Sequence, residues 1–241
     1  MTAQKQAQER KRTLKNRNPI IIKEADGIQL LGWATGVIES AMERSVPELT
    51  FALLLICGRR WCELLNKKST FTAIDSEPYA CMFLGQLKLK GKSQIGYKIP
   101  LLIECSRFLS GIHVLGSKLG DMPATNKEVN QMFEEKLLSW GKESVSYYNF
   151  FPQPNAICKV TPHTFRAIYA AFGYHVFDSN VTLCAWYQLV LGHQSLAESL
   201  DYSYIKLKGF GQAGRFGRFD AELRNTVMMD EGSSVESGDE E

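Results

Sequence analysis

Long apolar runs are missing from this sequence of 241 residues. No stretch approaches the roughly 18 apolar residues that a membrane-spanning helix needs, and the opening MTAQKQAQERKRTLK holds no signal-peptide core. Neither a membrane-spanning nor an exported chain is expected, and the expected location is intracellular. Histidine is scarce at 4 residues, with no HExxH and no Cys/His cluster, so metal-dependent chemistry has no recognisable ligand set. The 6 cysteines (Cys57, Cys62, Cys81, Cys105, Cys158, Cys184) form no CxxC pair and mostly lie in apolar runs, the placement of reduced core thiols. No cofactor and no metal is implied.

What is present fits one substantial core: 44% hydrophobic and 22% charged residues are close to the averages of soluble globular domains. The net charge of +2 hides an uneven distribution. Lys5, Arg10, Lys11, Arg12, Lys15 and Arg17 crowd one end, while Asp230, Glu231, Glu236, Asp239, Glu240 and Glu241 crowd the other. Residues 1–18 therefore read as a basic N-terminal arm and 223–241 as an acidic disordered tail that cannot build a core. The body between them is 19–222, and without the acidic tail the rest of the chain is distinctly basic and suits a polyanion.

Helical periodicity or capping signals cover 26–43, 47–66, 101–116, 126–140, 162–177, 181–191 and 196–207. Residues 79–88 and 94–100 read as strands around a turn at Lys90-Gly91-Lys92-Ser93. The expected fold class is mainly α (α+β), a helical domain with a small antiparallel β-sheet.

Three segments carry chemistry. In FALLLICGRRWCELL, a continuous helix places Arg60 on the apolar stripe with Leu53, Ile56, Cys57, Trp61 and Leu64, and turns Arg59 about 100° away. A buried guanidinium needs an anion, either a carboxylate such as Glu63 or a bound ligand. Thr161 and Pro162 then open a helix as N-cap and first residue, putting His163 and Arg166 on one face at its positive end, where phosphate is favoured. Finally, Gly192 ends a helix, His193 lies in the turn, and a capping box at Ser195 and Glu198 starts a helix carrying Tyr202, nine residues after His193.

Taken in order, Arg-x-x-Glu, a lysine-bearing hairpin, His-x-x-Arg, Leu-Gly-His and the later tyrosine resemble the catalytic domain of tyrosine recombinases. Within that superfamily, FALLLICGRRWCEL, FLGQLKLK, FRAIYAAFGYHVF, LVLGH and IKLKGF resemble the telomere resolvases, or protelomerases, of linear phage and bacterial replicons, a likeness running from about Lys15 to Phe210. The resemblance implies a tyrosine-recombinase-like helical catalytic domain that cuts and rejoins DNA through a 3′-phosphotyrosine, without ATP. Arg60 and Arg166 would clamp the phosphate, Lys88 would be the hairpin lysine, with Lys90 and Lys92 as competitors, and Tyr202 the nucleophile. His193 would hold a phosphate oxygen or orient the tyrosine; His163 stands where ordinary recombinases usually have histidine and resolvases can have lysine, so its role stays open. The implied partner is double-stranded DNA with an inverted repeat, bound by a homodimer and turned into hairpin ends, in the nucleoid or host cytoplasm of a phage or linear replicon. A conventional recombinase or integrase, and a catalytically silent DNA-binding module of the same fold, are the alternatives. Telomere resolvases usually carry DNA-embracing helices ahead of this region, so this chain alone is expected to make hairpins inefficiently.

Overall fold

Ser45, Val46 and Pro47 start a helix at the edge of the main apolar run. The Ser45 side chain accepts the Glu48 N–H at 3.3 Å, and Pro47 lies in the first turn, where its missing N–H costs no helical bond. The helix stops at Gly58, which takes φ 62° and donates its N–H to Leu54 O at 2.9 Å. Between these ends every residue from Leu49 to Cys57 is fully buried, as a helix apolar on all sides must be.

A computed structural model describes residues 19–86, 96–148, 160–177, 181–193, 202 and 204–210. Its elements are β1 (Ile20–Lys23), α1 (Glu24–Glu39), α2 (Val46–Cys57), α3 (Trp61–Leu64), β2 (Thr70–Ala73), β3 (Ala80–Leu84), β4 (Tyr97–Pro100), α4 (Cys105–Leu119), α5 (Asn126–Tyr148), α6 (Pro162–Val176), α7 (Leu183–Leu191) and β5 (Ile205–Lys208). The central α2 packs against α1, α4, α5 and α6. Phe51 of α2 meets Phe165 edge-on at 5.0 Å and Trp140 at 4.6 Å, so three helices share one aromatic cluster.

Two sheets flank this helical core. In the antiparallel sheet β2-β3-β4, Phe71 lies opposite Phe83 and Phe83 opposite Tyr97, with ring centroids 4.8 Å and 5.7 Å apart. The second is a parallel pair of β1 and β5, with Ile20 opposite Ile205 and Lys23 opposite Lys208.

The fold is the expected mainly helical one with a small antiparallel sheet, but three local expectations change. The helix expected over 47–66 is broken at Gly58: an added Cβ there would fall on the buried ring of Tyr169, so this position has both the conformation and the close approach that only glycine tolerates. The helix expected over 196–207 does not reach its end, because Ile205–Lys208 is β5, whose Ile205 is buried while Lys206 and Lys208 are exposed. The strand β2 was not expected at all. Cys57, Cys81 and Cys105 are buried free thiols and Cys62 and Cys184 are half-buried ones; Cys158, the arm 1–18 and the tail 223–241 lie outside the described residues. Among the described residues no helix is long and apolar enough to cross a membrane.

Candidate active site

The N-terminus of α6 is fixed by a reciprocal cap. Thr161 Oγ1 accepts the Thr164 N–H at 3.4 Å, and the Thr161 N–H donates to Thr164 Oγ1 at 3.1 Å. His163 is exposed at this end, and Arg166, one turn further, is buried at 1% exposure. Phe165, Ile168, Tyr169 and Phe172 anchor the same helix in the core. Its Nη1 donates to Gly58 O and its Nη2 to Leu191 O at 2.6 Å, while its Nε has no hydrogen-bond partner among the described residues.

The break at Gly58 also exchanges the two arginines. Arg59, expected off the apolar stripe, is fully buried: Nε donates to Cys57 O at 3.4 Å, Nη1 to the Tyr97 hydroxyl and Nη2 to Val190 O. Arg60, expected on the stripe, precedes α3 and keeps 14% side-chain exposure. Its backbone N–H and Nη1 reach the two oxygens of Glu63 at 2.9 Å and 3.0 Å. Of the two anions open to Arg60 from sequence, the internal one is therefore engaged.

Glu63 is buried with three guanidinium groups acting on it. Burial alone would push its carboxyl up, but Arg59, Arg166 and Arg60 outweigh that and hold it below the usual carboxylate range. Arg166 is pulled below the usual guanidinium range, first by burial and also by the charges of Arg59 and Arg60, against the opposing influence of Tyr202 and Glu63. One carboxylate among three cations leaves a site that gains from a further anion.

Tyr202 closes the constellation. It is 9% exposed, in a turn just before β5 and not within a helix. Its hydroxyl lies 3.4 Å from His163 Nδ1, its ring centroid 4.9 Å from that of His193, and the Arg166 Cζ 6.0 Å from the same ring. His193 is 7% exposed and donates its backbone N–H to Gln188 O at 3.0 Å, after Gly192 has turned the chain at φ 63°.

His163, Arg166, His193 and Tyr202 are thus brought together, and Arg60 is joined to them through the shared charge of Glu63. Lys88, Lys90 and Lys92, and the capping box at Ser195 and Glu198, lie outside the described residues. Sequence reasoning missed Arg59, Tyr97 and Gln86. The available signal for Arg59 was Gly58 itself, a left-handed stop that shifts the register of everything after it.

The family model for the telomere resolvase ResT/TelK catalytic domain matches residues 22–206. A comparison with curated proteins gives no match. Among solved structures, a tyrosine-to-alanine variant of protelomerase TelA covalently complexed with substrate DNA is 20% identical, with a TM-score of 0.69 over 92% of this chain and 69% of that one. An arginine-to-alanine variant of TelA complexed with a DNA hairpin product is also 20% identical, with a TM-score of 0.68 over 92% and 68%. Protelomerase TelK complexed with substrate DNA is 19% identical, with a TM-score of 0.69 over 98% of this chain and 53% of that one. These structures share the fold, and the family match spans most of the chain: it belongs to the telomere resolvase ResT/TelK catalytic-domain family.

Proposed function

We propose that Tyr202 is the nucleophile with which this telomere resolvase domain cuts and rejoins DNA. The Tyr202 oxygen attacks the scissile phosphorus, a phosphorus–tyrosine bond forms, and the bond to the 5′-oxygen breaks with its electron pair on that oxygen. Lys88 supplies the proton that the leaving 5′-oxygen needs, a task for which guanidinium is too weak an acid. The phenolic proton passes to His163, whose Nδ1 lies 3.4 Å from the hydroxyl. Arg60 and Arg166 hold the non-bridging oxygens, since planar forks that stay charged throughout stabilise the developing charge. His193, its ring tilted beside that of Tyr202, holds the ring in line or donates to a phosphate oxygen. Rejoining reverses each step with a 5′-hydroxyl as attacker, so the bond energy is retained and ATP is not consumed.

The observation that supports this reading most is a tyrosine hydroxyl within reach of a histidine, above a buried arginine with an unpaired donor, in a site holding more cations than carboxylates. Double-stranded DNA with an inverted repeat is the proposed substrate, taken by two protomers, one on each half. Its workplace would be the nucleoid or cytoplasm of a host carrying a linear replicon or phage. The arm 1–18 and the tail 223–241 would flank a catalytic domain of 19–222.

The test is covalent trapping on a nicked suicide substrate, in which the cleaved fragment diffuses away. Tyr202→Phe is expected to bind DNA within about twofold of the parent yet form no adduct, because only the attacking oxygen is removed. Tyr204→Phe should still form it; Tyr204 serves β1 through its carbonyl, which accepts the Ile20 N–H at 2.9 Å. An adduct with Tyr202→Phe and none with Tyr204→Phe would move the nucleophile by two residues.

A further inference from the structure

Three consecutive carbonyls at the end of α7 are each taken by a side chain from a different part of the chain. Val190 O accepts from Arg59 Nη2, Leu191 O from Arg166 Nη2 at 2.6 Å, and Gly192 O from Gln86 Nε2 at 2.7 Å. A helix C-terminus leaves its last carbonyls without helical partners and carries the negative end of the dipole, so donors are favoured there, cations most of all. Arg166 already has a place in the chemistry. Arg59 and Gln86 do not: Arg59 is fully buried with Nε, Nη1 and Nη2 each donating to a group of the protein, and Gln86 stands just beyond β3.

The residue that follows these three carbonyls is His193. Gly192 is hemmed in from the sheet side, since an added Cβ would fall on Gln86 Nε2 and lie 3.2 Å from the Tyr97 hydroxyl, the group that Arg59 Nη1 also engages. The turn at 190–193 is thus gripped by the α2–α3 junction through Arg59, and by both ends of the β3–β4 connection through Gln86 and Tyr97. Directly after this turn, the His193 ring stands beside Tyr202, at 4.9 Å between centroids.

We propose that Arg59 and Gln86 are positioning residues for DNA cleavage, fixing the turn at 190–193 and through it His193 against Tyr202. The inference rests on the reading of His193 and Tyr202 as reacting groups. Gln86 is the better handle, because it is half-buried and can be changed without unpairing a core charge. Gln86→Glu keeps the length of the side chain but turns an acceptor toward the Gly192 carbonyl. Gln86→Ala removes the bond without adding repulsion.

The experiment measures adduct formation on the nicked suicide substrate and DNA affinity side by side, for Gln86→Glu, Gln86→Ala, His193→Gln and the double variants. Misplacing a reacting group by about an ångström can lower a rate on the order of 100-fold, so a loss of about 10- to 100-fold in adduct formation is expected for Gln86→Glu, with affinity within about twofold. The double variant should be no slower than His193→Gln alone, since Gln86 acts through that ring. Losses that multiply in the double variant, or affinity falling in step with rate, would overturn the positioning role. If His193→Gln itself left the rate unchanged, the reading of His193 would fail, and the positioning role with it.

Discussion

At Gly58 the chain turns with φ 62°, and an added Cβ would fall on the ring of Tyr169, which is fully buried and donates its hydroxyl to Pro100 O at 2.8 Å. Neither the backbone nor the ring has room to give. Gly58→Ala should therefore lose about 2–4 kcal/mol, the left-handed conformation and the overpacking adding together. Urea unfolding measures it, and a change inside about 0.5 kcal/mol would show that the turn relaxes. The same residue explains what was legible nearby. His163 and Arg166 were readable because Thr161 and Pro162 start a helix whose spacing is regular from that point. The pairing of Arg60 with Glu63 is legible from their spacing, but the faces of Arg59 and Arg60 are not, because one residue of left-handed backbone resets the phase and puts the first in the core and the second at its edge. The contact of Tyr202 with His163 joins positions 39 residues apart, and no local pattern encodes it.

The short α3 and the α2–α3 junction make one electrostatic unit with α6. Glu63 from α3 lies among Arg59, Arg60 and Arg166, and the three charges overcome the burial that would otherwise raise its carboxyl. A folded-state value below the unfolded one contributes stability that is fully present above the unfolded carboxylate value of about 4.3 and fades as pH falls through the folded value. Glu63→Gln should consequently be less stable than the parent at neutral pH by roughly 3 kcal/mol, because it leaves buried guanidinium charge uncompensated. The gap should narrow only in acid, below about pH 4. Urea midpoints for both proteins from neutral to acid pH test this, and a gap independent of pH would mean that Glu63 contributes through packing alone. Among the other elements, β5 shows what periodicity conceals: Ile-Lys-Leu-Lys alternates as a strand does, yet a continuing helix is the local expectation because its partner, Ile20–Lys23, lies far away in sequence. Long, capped helices such as α6 were legible; short strands whose pairing is non-local were not.

For the whole molecule, the reaction sets a demand on number as well as geometry. Closing two duplex ends into hairpins requires a cut on each strand, and DNA deformation of that severity costs several kcal/mol that backbone contacts must offset. Phosphate contacts should make binding fall steeply with salt. If one protomer works on each half of an inverted repeat, every hairpin pair needs two functional copies of Tyr202. Wild-type protein and Tyr202→Phe are mixed at constant total concentration on a linear inverted-repeat substrate, and products are separated on a denaturing gel where hairpins snap back after heating. Hairpin yield should fall as the square of the wild-type share, because a mixed dimer cuts one strand and then has no second 5′-hydroxyl to exchange. The mixed dimers should appear as single-strand adducts whose amount peaks at equal mixing. A yield that falls in direct proportion to the wild-type share would mean that a single protomer makes both cuts, and the two-protomer arrangement would be wrong.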